Sequence, residues 1–380
     1  MERKVLFAAS TYSHIKNFHL PYMGQFHQAG WTIHVACGDA PGAVFYTSQV
    51  ITLPFEKKMT SPSNFRATRL LRRKLEQEQY DLVITHTSLA AFFTRLAVMG
   101  LKKRPRVINM SHGYLFDDST PVLKRQILLN AERLVARCTD LVLTMNQYDF
   151  RIAQKHKLGK QVVNVPGVGV DFSRLRKPGR VDVHNLRQQL NLKAGDFILV
   201  YAAEFSSRKS QSVLIRALPM LPKSVVLLLP GNGALLDECK KLAQKLGVSD
   251  RVRFPGYVDN MSLWYAIADV AVTSSRSEGL PFNVMESMYM GLPVVASAVK
   301  GHEDLIEDGE TGLLYPYGNH AACAERILRL YEAPILCELM GQKAHNAVLP
   351  YALDNVLPFV MEQYGVPVHE YAEDEEEVLV

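Results

Sequence analysis

The sequence has 380 residues, of which 48% are hydrophobic and 21% are charged. These proportions are typical of a globular chain with room for two domains, and they exclude a disordered or fibrous protein. No apolar run approaches the roughly 18 to 20 residues of a membrane-spanning helix, and the apolar start VLFAA is too short for a signal peptide, so we expect a cytoplasmic protein.

Charge is distributed unevenly along the chain. Residues 1–172 contain 23 Lys and Arg against 12 Asp and Glu, whereas the remainder contains 20 against 26. A basic half could meet nucleic acid, a membrane surface or an anionic substrate.

The five cysteines lie far apart without metal-ligand spacing, which favours buried, reduced thiols.

Short apolar strands alternate with amphipathic helices through the first half of the chain. The predicted strands are KVLFAAS, WTIHVACG, DLVITH, RVINMSHG and DLVLTMN, and the predicted helices are HLPYMGQFHQAG, NFRATRLLRRKLEQEQ, SLAAFFTRLAVMG and residues 121–137. Continuous apolar strands separated by such helices indicate a parallel sheet that is covered on both faces.

The alternation stops at VPGVGVDFSRLRKPGR, where Pro and Gly residues predict an interdomain linker. It begins again with the strands DFILVYAAEF, SVVLLLPGNG, RVRFPGY, DVAVTSS, PVVAS and GLLYP. We predict two facing Rossmann-like, doubly wound parallel-sheet domains with a cleft between them, and ligands outside the carboxyl ends of the strands. The predicted ranges are 1–172 and 173–345 for the two domains, 346–368 for a helical segment that returns to the first domain, and 369–380 for an acidic tail.

Two glutamates stand eight positions apart in SRSEGLPFNVMESMYMGLPVV. Glu278 follows the strand DVAVTSS, and Glu286 lies in the first turns of a helix that Pro281 is suited to begin. A carboxylate at the second position can accept hydrogen bonds from two vicinal hydroxyls, such as those of a ribose. The helix start offers amides that could bind a phosphate, namely those of Phe282, Asn283 and Val284. Either glutamate alone is better explained as a helix cap, but the pair favours a ligand site.

Two cations, Arg208 and Lys209, follow another predicted strand and precede a helix. Cations at such a place suit a diphosphate whose leaving-group charge must be stabilised, although a solvated surface is the plainer explanation.

Gly231 and Gly233 are a weak match to a dinucleotide-binding loop, because Leu236 stands where a third glycine is expected. A plain strand-to-helix turn explains them at least as well, and hydride transfer is set aside.

In the first half, His112 follows the strand RVINM, again at a carboxyl end. A lone histidine is more often structural than catalytic, but this position would face the predicted cleft. The loop after the first strand occupies the equivalent place and contains Ser13, His14, Lys16 and Asn17.

Together these motifs resemble the retaining, nucleotide-sugar-dependent glycosyltransferases of family 4, which have the GT-B fold. SEGLPFNVMESMYMGLPVVAS followed by GHEDLIEDGETGLLYP is similar to the family signature of two glutamates separated by seven residues, and ILVYAAEFSSRKSQSVLIRAL resembles its phosphate-binding strand and helix. SHIKNFHLPYM, SHGYLFDDSTPVLKRQILLNAERLVARCTDLVLTMN and VPGVGVDF resemble the branch that builds bacterial capsular polysaccharides and exopolysaccharides. The resemblance extends to about residue 345 and makes the first domain the acceptor side and the second the donor side.

The resemblance implies a role for each candidate residue. Glu286 would bind the ribose, Glu278 would contact hydroxyls of the donor sugar, and His112 would lie beside that sugar at the reaction centre. The other implied contacts are Arg208, Lys209, Phe282, Asn283 and Val284 to the diphosphate, Gly256 and Tyr257 to the base, and Ser13, His14, Asn17, Leu280 and Pro281 to the donor sugar or the acceptor.

The implied reaction is front-face attack on the donor, with the leaving phosphate helping to deprotonate the acceptor. The implied donor is a UDP-linked hexose or N-acetylhexosamine, and the implied acceptor is a lipid-diphosphate-linked glycan or a saccharide. No Asp-x-Asp motif stands at a strand end, so we expect no metal and no cofactor.

The sequence departs from the family pattern at two places. Ala203 and Glu204 stand where many relatives have an arginine, and SHIKN stands in place of paired glycines.

The basic first half then suggests attachment to the inner face of the cell membrane. Its cations are either solvated or dock on anionic lipid, and they cluster at Arg66, Arg69, Arg72, Arg73 and Lys74 and at Lys102, Lys103, Arg104 and Arg106. Nucleic acid is not expected, because no aromatic-studded basic surface or known binding motif accompanies the charge. Two rival functions stay open, a non-hydrolysing nucleotide-sugar 2-epimerase of the same fold and a non-catalytic nucleotide-sugar-binding subunit, which Glu204 would favour.

Overall fold

The computed structural model describes residues 3–39, 44–56 and 58–369. The chain divides into two compact units: unit 1 contains residues up to Gly169 and the segment from Asp354 onward, and unit 2 is Val170–Leu353. From the sequence we placed the boundaries after residues 172 and 345. The predicted acidic tail lies outside the described residues beyond His369.

Unit 1 is built from alternating strands and helices. The strands are β1 (Lys4–Ala8), β2 (Thr32–Cys37), β3 (Gln49–Thr52), β4 (Leu82–Thr85), β5 (Arg106–Ser111), β6 (Leu141–Thr144) and β7 (Gln161–Asn164). The helices are α1 (Tyr12–Phe18), α2 (Leu20–Gln28), α3 (Pro62–Glu78), α4 (Ser88–Val98), α5 (Val122–Ala136) and α6 (Gln147–His156).

These strands form one parallel sheet in the order β3-β2-β1-β4-β5-β6-β7. The inner strands are buried along nearly their whole length, which explains why their apolar runs were recognised in the sequence. The outermost strands β3 and β7 were missed, because an edge strand is only partly buried and its short sequence, QVIT or QVVN, carries little apolar signal. Helix α1 was also missed, since it buries only Ile15.

Unit 2 repeats this architecture. Its strands are β8 (Phe197–Val200), β9 (Val225–Pro230), β10 (Val252–Gly256), β11 (Val270–Thr273), β12 (Val294–Ser297) and β13 (Gly312–Tyr315). Its helices are α7 (Arg180–Gln189), α8 (Ser212–Ala217), α9 (Leu236–Lys245), α10 (Met261–Ala266), α11 (Phe282–Tyr289), α12 (His320–Tyr331) and α13 (Pro334–Val348). The sheet is parallel, in the order β10-β9-β8-β11-β12-β13, and two doubly wound α/β units confirm the predicted fold class.

The last helix, α14 (Leu353–Tyr364), belongs almost wholly to unit 1. The Tyr364 ring packs against Tyr22 and Phe26 of α2, and the Arg106 guanidinium donates to the Tyr364 carbonyl at 3.0 Å. Of the predicted returning segment, residues 346–353 therefore remain in unit 2, and the return to unit 1 is made by α14.

Within residues 3–39, 44–56 and 58–369, no helix combines the length and the apolar composition that crossing a bilayer requires.

The turn that follows β9 packs directly on the segment that follows β8. A Cβ atom added to Gly231 would lie 2.1 Å from the carbonyl oxygen of Ala203, and one added to Gly233 would lie 2.5 Å from that of Phe205. Both glycines have positive φ angles, of 139° and 153°. The two glycines are therefore explained by close backbone approach and a sharp turn into α9.

We predict that Gly231→Ala lowers the melting temperature of the protein, because the new methyl group collides with backbone that cannot move aside. The matched control is Gly247→Ala, at a glycine that also has a positive φ (67°) but has no atom within 4 Å of the added Cβ. Thermal unfolding should place Gly231→Ala at least about 4 °C below this control. Equal melting temperatures would contradict the close approach.

Candidate functional site

In unit 2, the predicted donor-binding residues gather at the point where the strand order reverses. Strands β8 and β11 are neighbours, yet β8 leads to β9 on one side and β11 leads to β12 on the other. The loops that follow them diverge and leave space at the carboxyl edge, which is where doubly wound sheets bind ligands. Arg208 and Lys209 follow β8, and Glu278 follows β11.

The structure joins these three residues through charge-assisted hydrogen bonds. Lys209 Nζ lies 2.6 Å from Glu278 Oε1, and Arg208 Nη1 lies 2.6 Å from Glu278 Oε2. The side chains of Glu278 and Lys209 are only 6% and 12% exposed, whereas that of Arg208 is 51% exposed. The buried Glu278 carboxylate thus binds the nearly buried Lys209 ammonium, and the Arg208 guanidinium extends to the surface.

The charges of this cluster determine its protonation. Burial opposes ionisation of Glu278, but the charges of Lys209 and then Arg208 prevail and lower its pKa to about 2. Burial lowers the pKa of Lys209, and the Glu278 carboxylate opposes that shift. Because each partner stabilises the charged form of the other, both are ionised at neutral pH.

Hydrogen bonds to backbone carbonyls join the loops that carry the cluster. The Arg276 amide donates to the Arg208 carbonyl at 2.7 Å, and Ser274 Oγ donates to the Lys209 carbonyl at 3.0 Å. On the opposite side, a Cβ atom at Gly301 would lie 2.7 Å from the Gly279 carbonyl oxygen, so the loop after β12 also presses on this segment. The positions of the cations are therefore set by the protein itself.

His302 is a buried neighbour that we did not select from the sequence. Its Nδ1 lies 2.8 Å from the Ser297 carbonyl oxygen and its Nε2 lies 3.4 Å from Thr273 Oγ1. Burial lowers its pKa to about 4, although the Glu278 charge acts in the other direction. The residue lies in GHEDLIEDGETGLLYP, a motif that supported the family resemblance without assigning a role to this histidine.

Glu286, the predicted ribose ligand, lies on α11. Its Oε2 accepts a hydrogen bond of 2.9 Å from the hydroxyl of Tyr265 on α10. Burial raises the pKa of Glu286, and the Tyr265 hydrogen bond opposes this rise. Tyr265 was not singled out in the sequence, because nothing in its local pattern links it to a residue 21 positions away.

Pro281 lies directly before α11, which agrees with the sequence prediction that it stands near the first turn of a helix. Pro281 is the N-cap with extended backbone, Phe282 is the first helical residue, and the first intrahelical bond runs from the Met285 amide to the Pro281 carbonyl at 3.2 Å. Asn283 Nδ2 donates to the Ala202 carbonyl at 3.1 Å, which ties the helix start to the end of β8. Val284 is buried, and Leu280 is half-buried.

The predicted base-binding residues lie at the end of β10. The Gly256 carbonyl already accepts a hydrogen bond of 2.7 Å from the Gly231 amide. The Tyr257 side chain is 74% exposed. Glu204, one of the two departures from the family pattern that the resemblance implied, is exposed after β8.

In unit 1, histidines gather at the corresponding reversal of strand order, between β1 and β4. His14 Nε2 lies 3.3 Å from His112 Nε2, and His112 Nε2 lies 3.4 Å from His86 Nδ1. The ring of His19 stacks on that of His86 with 3.6 Å between centroids. His112 and His14, both predicted, are thus brought together with two histidines that we did not select.

Burial keeps these imidazoles neutral. It lowers the pKa of His14 to about 4 and those of His19, His86 and His112 well below 6.5, and in the last three neighbouring histidines add to the effect. The other residues predicted in the His14 loop, Ser13, Lys16 and Asn17, are exposed on α1 and lie outside this cluster.

We predict that Glu278→Gln is less stable than the wild type at neutral pH and that this difference shrinks as the pH falls from 4.5 towards 2. The folded pKa of Glu278, about 2, lies below its ordinary value of 4.5, so the unfolded state binds more protons in this window and the wild type loses the contribution of the ion pairs. Urea unfolding midpoints measured across this pH range test the prediction. The control is Glu338→Gln, at an exposed glutamate. A stability difference between Glu278→Gln and the wild type that does not change with pH would contradict the prediction.

Comparisons with known proteins agree with the observed fold. Residues 23–174 match the family described as Glycosyltransferase Family 4, and residues 182–347 match Glycosyl transferases group 1. The chain is 33% identical to the glycosyltransferase-family protein EpsD of Bacillus subtilis (strain 168) over 357 residues, which cover 93% of each chain. It is 23% identical over 288 residues to the UDP-Gal:alpha-D-GlcNAc-diphosphoundecaprenol alpha-1,3-galactosyltransferase of Escherichia coli, covering 73% of each chain.

Among solved structures, HepE of Anabaena in complex with UDP and glucose is similar to this protein. The TM-score is 0.78 at 21% identity, and the match covers 96% of this chain and 100% of that one. This similarity confirms the GT-B fold that the sequence resemblance implied. The chain therefore belongs to the glycosyltransferases that join a family 4 N-terminal half to a group 1 C-terminal half, and it is an enzyme of that class.

Proposed function

We propose that the protein is a retaining glycosyltransferase that moves a sugar from a nucleoside-diphosphate sugar, a UDP-linked hexose or N-acetylhexosamine, to a lipid-linked or saccharide acceptor. The observation that carries the proposal is the buried Glu278 carboxylate that holds Lys209 and Arg208 at the strand reversal of unit 2. The complex of HepE with UDP and glucose supports the choice of donor.

Arg208 and Lys209 are proposed to bind the diphosphate of the donor. Both cations are held by Glu278 before the substrate arrives, and such preorganised charge stabilises a leaving group without reorganisation during the reaction. The amides of Phe282, Asn283 and Val284 add donors at the start of α11. In this proposal the net positive charge of the Arg208, Lys209 and Glu278 cluster and the amides of α11 stabilise the diphosphate, and the transfer needs no metal ion.

Glu278 is proposed to contact the donor sugar as well. Each of its oxygens accepts one bond from a cation, and a carboxylate oxygen has a second lone pair that can accept from a sugar hydroxyl. Glu286 would bind the ribose in the same way, since Tyr265 occupies only its Oε2. Gly256 and Tyr257 are proposed at the base, and Ser13, His14, Asn17, Leu280 and Pro281 at the donor sugar or acceptor.

The proposed chemistry is attack from the face that the diphosphate leaves. The bond between the anomeric carbon and the diphosphate oxygen breaks, a bond to the acceptor oxygen forms on the same face, and the acceptor proton passes to the leaving phosphate. His112 is proposed to act at the sugar that is transferred, as a neutral imidazole.

The proposed pathway is the synthesis of a bacterial capsule or exopolysaccharide. The chain is similar along nearly its whole length to EpsD, and a more distant relative is named for transfer to a diphosphoundecaprenol-linked sugar. A lipid-diphosphate-linked glycan is therefore the acceptor that we propose.

We predict that nucleoside diphosphate is released from one sugar of a nucleotide-sugar panel when a membrane lipid extract is present, and that Glu286→Ala weakens donor binding about 10- to 100-fold. The magnitude is that of hydrogen bonds from ribose hydroxyls to a charged carboxylate. Donor binding and diphosphate release should be measured for the wild type, for Glu286→Ala and for the exposed Glu338→Ala as the matched control.

The outcomes separate the rival functions. Extract-dependent release that Glu338→Ala retains and Glu286→Ala loses supports the transferase. Conversion of the donor sugar to its 2-epimer without any acceptor would identify an epimerase, and donor binding without turnover would identify a binding subunit.

We further propose that unit 1 attaches to an anionic membrane surface through α5. Three apolar side chains lie on one face of this helix, Leu123, Ile127 and Leu134, and they are 76%, 60% and 45% exposed. Exposed Lys124 and Arg133 border this face. An apolar stripe bordered by cations is typical of a helix that lies in the interface of an anionic bilayer.

The basic helix α3 contributes less to this surface than its sequence suggested. Arg72 bonds to Glu76 and to the Gly100 carbonyl, and Lys74 lies 3.7 Å from Glu78. Three of its cations are exposed, namely Arg66, Arg69 and Arg73. Helix α4 packs against both α3 and α5, so these cations belong to the same layer as the apolar stripe.

We predict that the wild type floats with vesicles that contain anionic lipid and that the double variant Leu123→Glu, Ile127→Glu does not. The substitutions replace apolar side chains that would enter the lipid with carboxylates that the anionic headgroups repel. The matched control is Ile335→Glu, at a 76% exposed isoleucine of unit 2, which should float like the wild type. Equal flotation of the double variant would remove α5 from the membrane contact.

A further inference from the structure

Four histidines of unit 1 point their ring nitrogens at one small volume. His14 belongs to α1 and His19 follows it, while His86 and His112 directly follow the neighbouring strands β4 and β5. One ring nitrogen from each lies within 4.8 Å of the others. The fold thus supplies these residues from three adjacent strand ends.

Hydrogen bonding does not account for this convergence. His112 Nε2 lies 3.3 Å from His14 Nε2 and 3.4 Å from His86 Nδ1, yet one nitrogen that either donates or accepts a proton makes only one well-directed bond of this kind. Both ring nitrogens of the buried His19, and Nε2 of His86, have no hydrogen-bond partner among the described residues. Buried polar atoms without partners are costly and call for an explanation such as a bound ion.

We propose that His14, His19, His86 and His112 form a binding site for a divalent transition-metal ion. An ion with metal–nitrogen distances of about 2.0–2.1 Å in tetrahedral geometry separates its ligand atoms by about 3.3–3.4 Å. His112 Nε2 lies 3.3 Å from His14 Nε2 and 3.4 Å from His86 Nδ1, which agrees with that spacing, and all four residues offer a nitrogen within 4.8 Å of the others. The ion accepts one lone pair from each ring, so it gives a partner to one nitrogen of the buried His19, which has no hydrogen bond among the described residues.

The ligand type selects the metal. Neutral imidazoles bind Zn²⁺ and the neighbouring ions Co²⁺, Ni²⁺ and Cu²⁺, whereas Mg²⁺ and Ca²⁺ require oxygen ligands. We commit to Zn²⁺, which takes four ligands in a tetrahedron without a preference imposed by its d electrons.

Metal binding would switch off the transfer reaction. Nε2 of His112 becomes a metal ligand and is no longer available at the transferred sugar. This consequence rests on the proposed function of His112, but the metal site itself does not.

The test uses the full chain after treatment with a chelator and its removal. Titration with Co²⁺ should produce the visible absorption of a tetrahedral nitrogen-ligated ion and saturate at one ion per chain. Zn²⁺ should displace the Co²⁺ and raise the melting temperature, whereas Mg²⁺ should do neither. The X-ray absorption spectrum of the Zn²⁺ form should show nitrogen neighbours at about 2.0 Å.

His14→Ala should weaken Zn²⁺ binding on the order of 100-fold or more, because it removes a direct ligand on a partly exposed helix. The matched control is His27→Ala, at an exposed histidine of the adjacent helix α2 outside the cluster, which should bind like the wild type. Absence of Co²⁺ absorption in the folded wild type, or equal binding by His14→Ala, would overturn the site.

Activity is measured separately. With Zn²⁺, diphosphate release should fall at least about 10-fold and return on addition of chelator. If one ion binds through nitrogen ligands and activity is unchanged, the metal site is supported and the proposed role of His112 in transfer is overturned. The two proposals can therefore fail separately.

Discussion

The order of strands in a parallel sheet determines which loops can meet, and both units of this protein depend on that constraint. At β1/β4 and again at β8/β11, neighbouring strands lead to connections that run in opposite directions. The loops after these strands cannot cover the carboxyl edge between them, so side chains from distant parts of the chain gather there. In unit 2 they are Arg208, Lys209 and Glu278, and in unit 1 they are the histidines around His112.

The two units bury titratable groups in opposite electrostatic states. In unit 2, Glu278 is ionised although it is buried, because Lys209 and Arg208 lie at hydrogen-bond distance from its oxygens. In unit 1, the clustered imidazoles have no such charged partner among the described residues, and burial keeps them neutral. The first arrangement is suited to hold cations for an anionic substrate, and the second leaves lone pairs that can bind a cation.

Close backbone contacts fix the loops around Glu278 in unit 2. Gly231 and Gly233 allow the turn after β9 to touch the segment after β8, and Gly301 allows the loop after β12 to touch Gly279. Hydrogen bonds between the loops that carry Lys209 and Glu278 complete the contact. These approaches explain why glycines accompany the charged residues, and they supply the preorganisation that the proposed diphosphate binding requires.

Local pattern was sufficient to predict the two doubly wound units, the inner strands, the placement of Glu278, Arg208, Lys209 and His112 after strand ends and that of Glu286 in the first turns of a helix. Each of these features leaves its signal within a few neighbouring residues. The edge strands β3 and β7 escaped prediction, since partial burial leaves no continuous apolar run. The bond from Tyr265 to Glu286, the burial of His302 and the meeting of His19 and His86 with His112 join positions far apart in the chain. Folding alone brings such residues within a few ångströms, because their separation depends on strand order and loop path rather than on any spacing written in the sequence.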